Sequence, residues 1–217
     1  MTKKILIPAI LAQDSEKLQS AISQIEDLVE YVQIDYMDGK FVKQKSHFDY
    51  KDFYKINPVA KPELHLMVEH PEKIIEKWIS AGIEKFIIHV ESNCDWQKIK
   101  NIYEENFIKI YLALNPDTPI NKLIDKMQFV DGVTVMGVNP GAARQKFLPK
   151  VLGKIKSLRN RFPEINIQID GGMHIKPTNT IRQAILAGAN EIVAGSEIFL
   201  SGNIAKKIDE LYQELNS

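Results

Sequence analysis

The feature that most constrains this chain is an alternation. Short runs rich in Ile and Val occur at 4–8, 31–36, 63–68, 85–90, 108–114, 130–136, 165–169 and 191–194, and segments with helical spacing lie between them. In DSEKLQSAISQIEDLVE, Leu18, Ile22, Ile25 and Val29 share one helical face behind Asp14, a candidate N-cap. HPEKIIEKWISAG carries Pro71 in its first turn and an Ile74, Ile75, Trp78, Ile79 stripe. DWQKIKNIY opens on Asp95, and DTPINKLIDKM offers Thr118 as a cap before Pro119. PKVLGKIKSLRNRF, KPTNTIRQAILAG and NIAKKIDELYQEL complete the series, with Gly82 and Gly188 placed as C-terminal caps. Repeated strand–helix units build a parallel sheet. Eight of them in a chain of 217 residues predict a single-domain (β/α)8 barrel over residues 1–217. The alternative is a doubly wound open sheet, which usually has fewer strands.

Composition bounds the function classes. The 28 basic and 28 acidic side chains cancel, so no overall field draws the chain to nucleic acid or to a membrane surface. No apolar run is long enough to cross a bilayer. The opening MTKKILIPAILAQ has the basic start of a signal peptide, but Pro8 interrupts its apolar run and Asp14 and Glu16 follow, so it reads as a first strand. One cysteine, Cys94, excludes an internal disulfide and a cysteine-held zinc, and suits a reducing cytoplasm. It precedes a helix start, where a thiol can be activated, although a lone cysteine is usually a bystander.

A barrel of this kind carries its site at the C-terminal ends of the strands. Polar residues gather there: Asp35, Met37 and Asp38 after strand two, His65 and Met67 on strand three, His89 and Glu91 on four, and Asn115 on five. Met136, Asn139 and Gly141 follow on six, Asp170, Gly171 and Gly172 on seven, and Gly195 and Ser196 on eight. Gln33 shares a face with Asp35, because alternate strand residues point the same way.

Asp35 and Asp170, on strands two and seven, could address one substrate carbon from opposite sides. That arrangement suits a 1,1-proton transfer beside a carbonyl: one carboxylate removes a proton and the other returns one to the opposite face. The enediolate between needs electrophilic stabilisation, which a divalent metal held by His65, Asp35 and Asp170 would supply. Glycine-rich turns in IDGG and VAGSEIF fall where phosphate-binding barrels expose backbone N–H groups to an anion. Singly, each residue has a plainer reading. An aspartate after a strand is commonly a turn residue, a lone histidine a hydrogen-bonded core residue, a methionine core filler, a glycine pair a tight turn. Their joint placement at strand ends argues for a site.

The stretches IPAIL (7–11), IDYMDGKFV (34–42), ELHLMVEHPEK (63–73), HVES (89–92), LALNPDTP (112–119), VMGVNPG (135–141), QKF (145–147), IDGGM (169–173) and AGANEIVAGSEIF (187–199) together resemble the ribulose-phosphate 3-epimerase family over nearly the whole chain. The resemblance implies a phosphate-binding (β/α)8 barrel and an isomerase of the pentose phosphate pathway. Its reaction would interconvert ribulose 5-phosphate and xylulose 5-phosphate through a metal-stabilised enediolate. It implies Asp35 and Asp170 as acid/base pair and, with His65, as metal ligands. Met37, Met67, Met136 and Gly141 would stand around the substrate, and Gly172, Gly195 and Ser196 would form the phosphate cradle. It also implies a homo-oligomer.

The departures cluster near the same residues. Where the family has a metal-binding histidine, this chain has Gln33, a neutral donor that would weaken zinc binding and tolerate harder ions such as Mn²⁺ or Mg²⁺; the metal could equally be Zn or Fe, and Gln33 could instead contact substrate without metal. Ala9 replaces a serine, and Lys43 and Gln44 replace Pro-Asn. PGAARQ (140–145) replaces Pro-Gly-Phe-Gly-Gly-Gln, losing two glycines and an aromatic, which should stiffen the loop and change its cover over the site. Arg144 in that loop reads as a phosphate contact or as a solvated side chain. Three other readings follow: an epimerase of another ketose phosphate such as allulose 6-phosphate, a non-catalytic sugar-phosphate-binding barrel, or, last because the paired aspartates match epimerisation, another phosphate-barrel reaction such as a lyase or synthase.

Overall fold

The computed structural model describes residues 3–217; Met1 and Thr2, the first residues of the expected single domain, lie outside the described residues. Eight strands form in the order expected: β1 (Ile5–Ile10), β2 (Tyr31–Met37), β3 (Lys61–Met67), β4 (Lys85–His89), β5 (Lys109–Leu114), β6 (Gly132–Met136), β7 (Asn166–Asp170) and β8 (Glu191–Ala194). Every neighbour pair is parallel, and β8 returns to β1 with Ile5 opposite Glu191, so the sheet closes into a barrel. Closure excludes the open-sheet alternative.

The helices are α1 (Ser15–Ser23), α2 (Tyr50–Ile56), α3 (Ile75–Ile79), α4 (Trp96–Glu105), α5 (Val151–Arg161), α6 (Thr180–Ala187), α7 (Ser196–Phe199) and α8 (Ile204–Asn216), with 3₁₀ segments at Pro71–Lys73 and Ile120–Phe129. Asp14 and Asp95 cap α1 and α4, accepting from the N–H groups of Lys17 and Lys98. Gly82 and Gly188 take the left-handed backbone, at φ +95° and +116°.

Two expectations need correction, and one helix was not anticipated. The α1 stripe does not run to Val29 as helix: the N–H groups of Gln24 and Ile25 bond back to Ala21 and Ile22, three residues away, and the tightened turn ends the helix while Ile25 and Val29 remain buried. Thr118 does not cap the next segment, which begins at Ile120 as a 3₁₀ helix behind an extended Pro119 with no side-chain cap. Pro119 itself takes the capping position, and its ring has no oxygen to offer the first N–H groups of the segment. Helix α2 has no counterpart among the periodic segments; Asp49 and Asp52 close a capping box on it, but Phe53 is its one buried residue, too few for a stripe.

Two kinds of interior result. Outside the barrel wall, Ile34, Leu64, Leu66, Ile88, Ile110, Leu112 and Ile169 meet the helices in one apolar core. Inside, alternate residues point to the axis, and the lower layer is polar. Lys85 Nζ lies 2.7 Å from Glu63 Oε2 and 2.7 Å from Glu191 Oε2. The Tyr111 hydroxyl donates to Glu191 Oε1 at 2.7 Å, Gln168 Nε2 to Glu63 Oε1 at 2.6 Å, and Thr134 Oγ1 to Gln168 Oε1 at 2.6 Å. Gly132 makes room for this layer, since a Cβ there would stand 2.4 Å from the Tyr111 ring. No helix among the described residues is long and apolar enough to cross a membrane.

Candidate active site

The strand register sets the upper layer. Asp35 stands opposite His65, Met37 opposite Met67, Ala9 opposite Gln33, and Met136 opposite Asp170. Strands two, three and seven thereby deliver Asp35, His65 and Asp170 to one point, with ligand atoms all within 4.8 Å of one another. His65 Nδ1 is 3.1 Å from Asp35 Oδ1 and 3.4 Å from Asp170 Oδ2. Gln33 is fully buried beside them, and its Nε2 donates to Asp35 Oδ1 at 2.9 Å and to Asp170 Oδ2 at 2.8 Å.

Asp38, the other carboxylate of the same stretch, does different work. It accepts from the N–H groups of Lys40, Phe41 and Glu69 and so ties the loop after β2 to the end of β3. It is a turn residue outside the cluster.

Behind His65 runs a chain of hydrogen bonds. His65 Nε2 lies 2.8 Å from His89 Nε2, His89 Nδ1 3.3 Å from Glu91 Oε2, and Glu91 Oε1 accepts from the Asn115 N–H at 2.9 Å. Burial depresses His89 to about 4, so this imidazole is neutral at pH 7 and carries one proton. The Glu91 carboxylate can only accept, so it keeps that proton on His89 Nδ1. His89 Nε2 is then an acceptor, His65 Nε2 is the donor to it, and His65 Nδ1 is left facing the carboxylates. Burial lowers the proton affinity of His65, but the hydrogen bond and charge of Asp35 outweigh it and leave His65 above its usual value. Burial and the charge of Asp35 push Asp170 up to about 7.

A cavity of about 350 Å³ opens over this cluster. Asp35, His65, Met67, Met136, Gly141, Asp170, Gly172, Gly195 and Ser196 line it. Met37 is buried and does not; Gln33 lies beneath, reached through the carboxylates it holds. Gly172 has φ +70°, and a Cβ there would meet the Phe147 backbone at 2.8 Å, so this turn requires glycine. Ala9 and the loop 140–145 also line the cavity, Arg144 at φ +62°. Lys17 of α1 and Leu200 after α7 lie on the same wall, and neither was expected. Lys17 looks in the sequence like any solvated helix lysine, and nothing in its spacing marks it. Cys94 is not activated: burial and the nearby Glu72 raise its thiol.

The cluster fits a divalent cation. Two carboxylates and an imidazole nitrogen converge, which is a mixed oxygen–nitrogen donor set for a divalent metal. The Gln33 Oε1 atom is buried without a hydrogen-bond partner, an unused donor beside the other three.

Residues 5–199 match the model of the ribulose-phosphate 3 epimerase family. The chain belongs to that family. A curated ribulose-phosphate 3-epimerase from Candida glabrata is 34% identical to it, covering 99% of this chain and 94% of its own length. One from Synechocystis is 35% identical, over 96% and 93%. Among solved structures, KGPDC from Streptococcus mutans superposes with a TM-score of 0.75 at 12% identity, covering 99% of this chain and 98% of that one. A 3-hexulose-6-phosphate synthase from Salmonella typhimurium gives 0.74 at 13%, covering 98% of each. Those two likenesses concern the barrel alone.

Proposed function

We propose that this chain interconverts ribulose 5-phosphate and xylulose 5-phosphate. Asp35 and Asp170 act as the two proton-transfer groups on opposite sides of the C3 carbon. The observation that carries the reading is the convergence of these two carboxylates, from strands on different sides of the barrel, in one cavity with Gly172, Gly195 and Ser196. The three cradle residues hold the phosphate and fix how far along the cavity C3 reaches. One aspartate, ionised, takes the C3 proton; the other, protonated, gives a proton to the opposite face, and the roles exchange in the reverse direction. Met67 and Met136 give the reacting carbon an apolar wall, which keeps bulk water from competing for the proton.

Asp35, His65 and Asp170 would hold a divalent cation, with Gln33 as a fourth side chain beside them. When bound, the cation supplies an electrophile for the negative charge that develops on the substrate oxygens. A set with one imidazole rather than two accepts Mn²⁺ and Mg²⁺ more readily than a two-histidine site would. The single unpaired cysteine fits a reducing cytoplasm.

The test is hydrogen exchange at C3 of ribulose 5-phosphate in D₂O, followed by NMR, on metal-stripped protein and again with Zn²⁺, Mn²⁺ or Mg²⁺. Exchange is expected together with xylulose 5-phosphate. Asp35→Asn and Asp170→Asn are each expected to lose about 10²–10⁴-fold in turnover without loss of fold. Near-normal turnover in either variant overturns the two-base mechanism. Folded wild-type protein that exchanges nothing overturns the substrate and favours another ketose phosphate or a binding role.

A further inference from the structure

We infer that the Gln33 amide is a two-position group: its NH₂ holds Asp35 and Asp170 together when no cation is bound, and its carbonyl turns in to bind the cation when one is. The inference rests on the metal reading above and deepens it.

Four atoms crowd together beneath the cavity. Gln33 Nε2 lies 2.9 Å from Asp35 Oδ1, 2.8 Å from Asp170 Oδ2 and 3.4 Å from His65 Nδ1. His65 Nδ1 is 3.1 and 3.4 Å from the same two carboxylate oxygens. A tetrahedral ion with ligands at ~2.0–2.2 Å keeps those ligands about 3.4 Å apart. The four atoms therefore resemble the corners of a coordination tetrahedron, and Gln33 Nε2 stands at a corner rather than at the centre. The corner is filled by the wrong end of the amide. An amide NH₂ donates two hydrogen bonds and has no lone pair to give a metal; the carbonyl oxygen has two.

That oxygen is on the same amide, fully buried, with no partner. Turning the amide over about its terminal bond exchanges Nε2 and Oε1 without moving the strand. Terminal torsions of this kind are broad and two-fold, so both positions are accessible to the side chain. In one position the carboxylates receive two charge-assisted N–H bonds. In the other, a cation takes over their charge and Oε1 completes the set. A cation must displace those two bonds to enter, so a residue that offers oxygen in either position should bind it more tightly. Glutamate is that residue.

The experiment uses protein labelled with ¹³C and ¹⁵N in glutamine, stripped of metal and titrated with Zn²⁺, with affinity measured in parallel by calorimetry. Gln33→Glu assigns the Gln33 signals by their disappearance. The expected result is that Zn²⁺ moves the Gln33 Cδ signal downfield while its NH₂ protons lose their hydrogen-bonded shift, and that Gln33→Glu binds Zn²⁺ at least about ten-fold tighter. Zn²⁺ binding with an unchanged Gln33 Cδ overturns the inversion and leaves a three-ligand site. Failure to bind Zn²⁺ or Mn²⁺ at all overturns the metal reading and this inference with it. If the glutamate variant fails to fold, Gln33→Asn supplies the assignment by the same loss of signal, and the wild-type titration decides the matter.

Discussion

His65 and His89 meet Nε2 to Nε2 at 2.8 Å, so only one of the two nitrogens can carry the shared proton. Which one does is settled a strand away, where Glu91 accepts from His89 Nδ1. The carboxylate thereby acts on a residue it does not touch. Glu91→Gln removes the charge and offers an NH₂ that can donate to His89. We expect divalent-metal affinity to fall about 10–100-fold, the usual cost of losing such an outer partner. Calorimetric titration with Zn²⁺ on folded variant checks this. An unchanged affinity would mean that His65 keeps its orientation without the chain behind it.

The polar layer beneath the site makes a prediction about stability. Lys85 serves two carboxylates, Glu63 and Glu191, and burial pushes Glu63 up because one ammonium cannot satisfy both. Lys85→Met leaves them buried and unpaired, at a cost of about 3–5 kcal/mol. The pH dependence has a definite sign. Burial lowers the Lys85 proton affinity, but the charges of Glu63 and Glu191 raise it by more, so the folded value lies above 10.5. The folded state then holds this proton more tightly than the unfolded chain. Its contribution is complete below the unfolded value and is lost as pH rises through the folded one. Denaturant melts at pH 7, 9.5 and 11 should show the wild type losing stability over the last interval and Lys85→Met losing less.

Arg144 yields a prediction with two opposite signs. Its backbone is left-handed at φ +62°, a conformation that disfavours any residue with a Cβ by about 1–2 kcal/mol. It is exposed and lines the cavity with the cradle glycines. Arg144→Gly should raise stability by up to about 1 kcal/mol, offset in part by the greater freedom of glycine in the unfolded chain. The same change should raise KM for a phosphorylated substrate several-fold, and more at low ionic strength. Melting curves and salt-dependent kinetics measure the two effects separately. Higher stability with unchanged KM would make Arg144 a solvated side chain.

The strands are legible because parallel barrel strands are apolar on their wall side, and runs such as KFIIH and KIYLAL announce themselves. So are Asp35, His65 and Asp170, which sit where such strands end. What escapes the sequence depends on contacts between distant strands. Glu63, Lys85 and Glu191 lie at inward positions of three strands, and nothing local to any of them indicates that they share one charge cluster. His89 and Glu91 are visible as strand-end residues, but not the order in which protons run between them. Gln33 is visible as the residue that shares a face with Asp35, yet which end of its amide faces the carboxylates is a matter of distances. Helix α2 is hidden for a local reason: YKDFYKI buries a single side chain, and its start signal lies in a capping box rather than in a stripe.

The charged layer across the lower barrel also has a kinetic meaning. With Glu63, Tyr111, Thr134 and Gln168 buried beneath the carboxylates, the described cavity meets them from the loop side of the barrel. Reactant and product pass the same threshold, beside the 140–145 loop. Whatever a change in that loop does to either crossing, the free-energy difference between the two free sugars stays the same. Evolution can hurry or delay traffic here, but it cannot tilt the balance between the two sugars by altering the door.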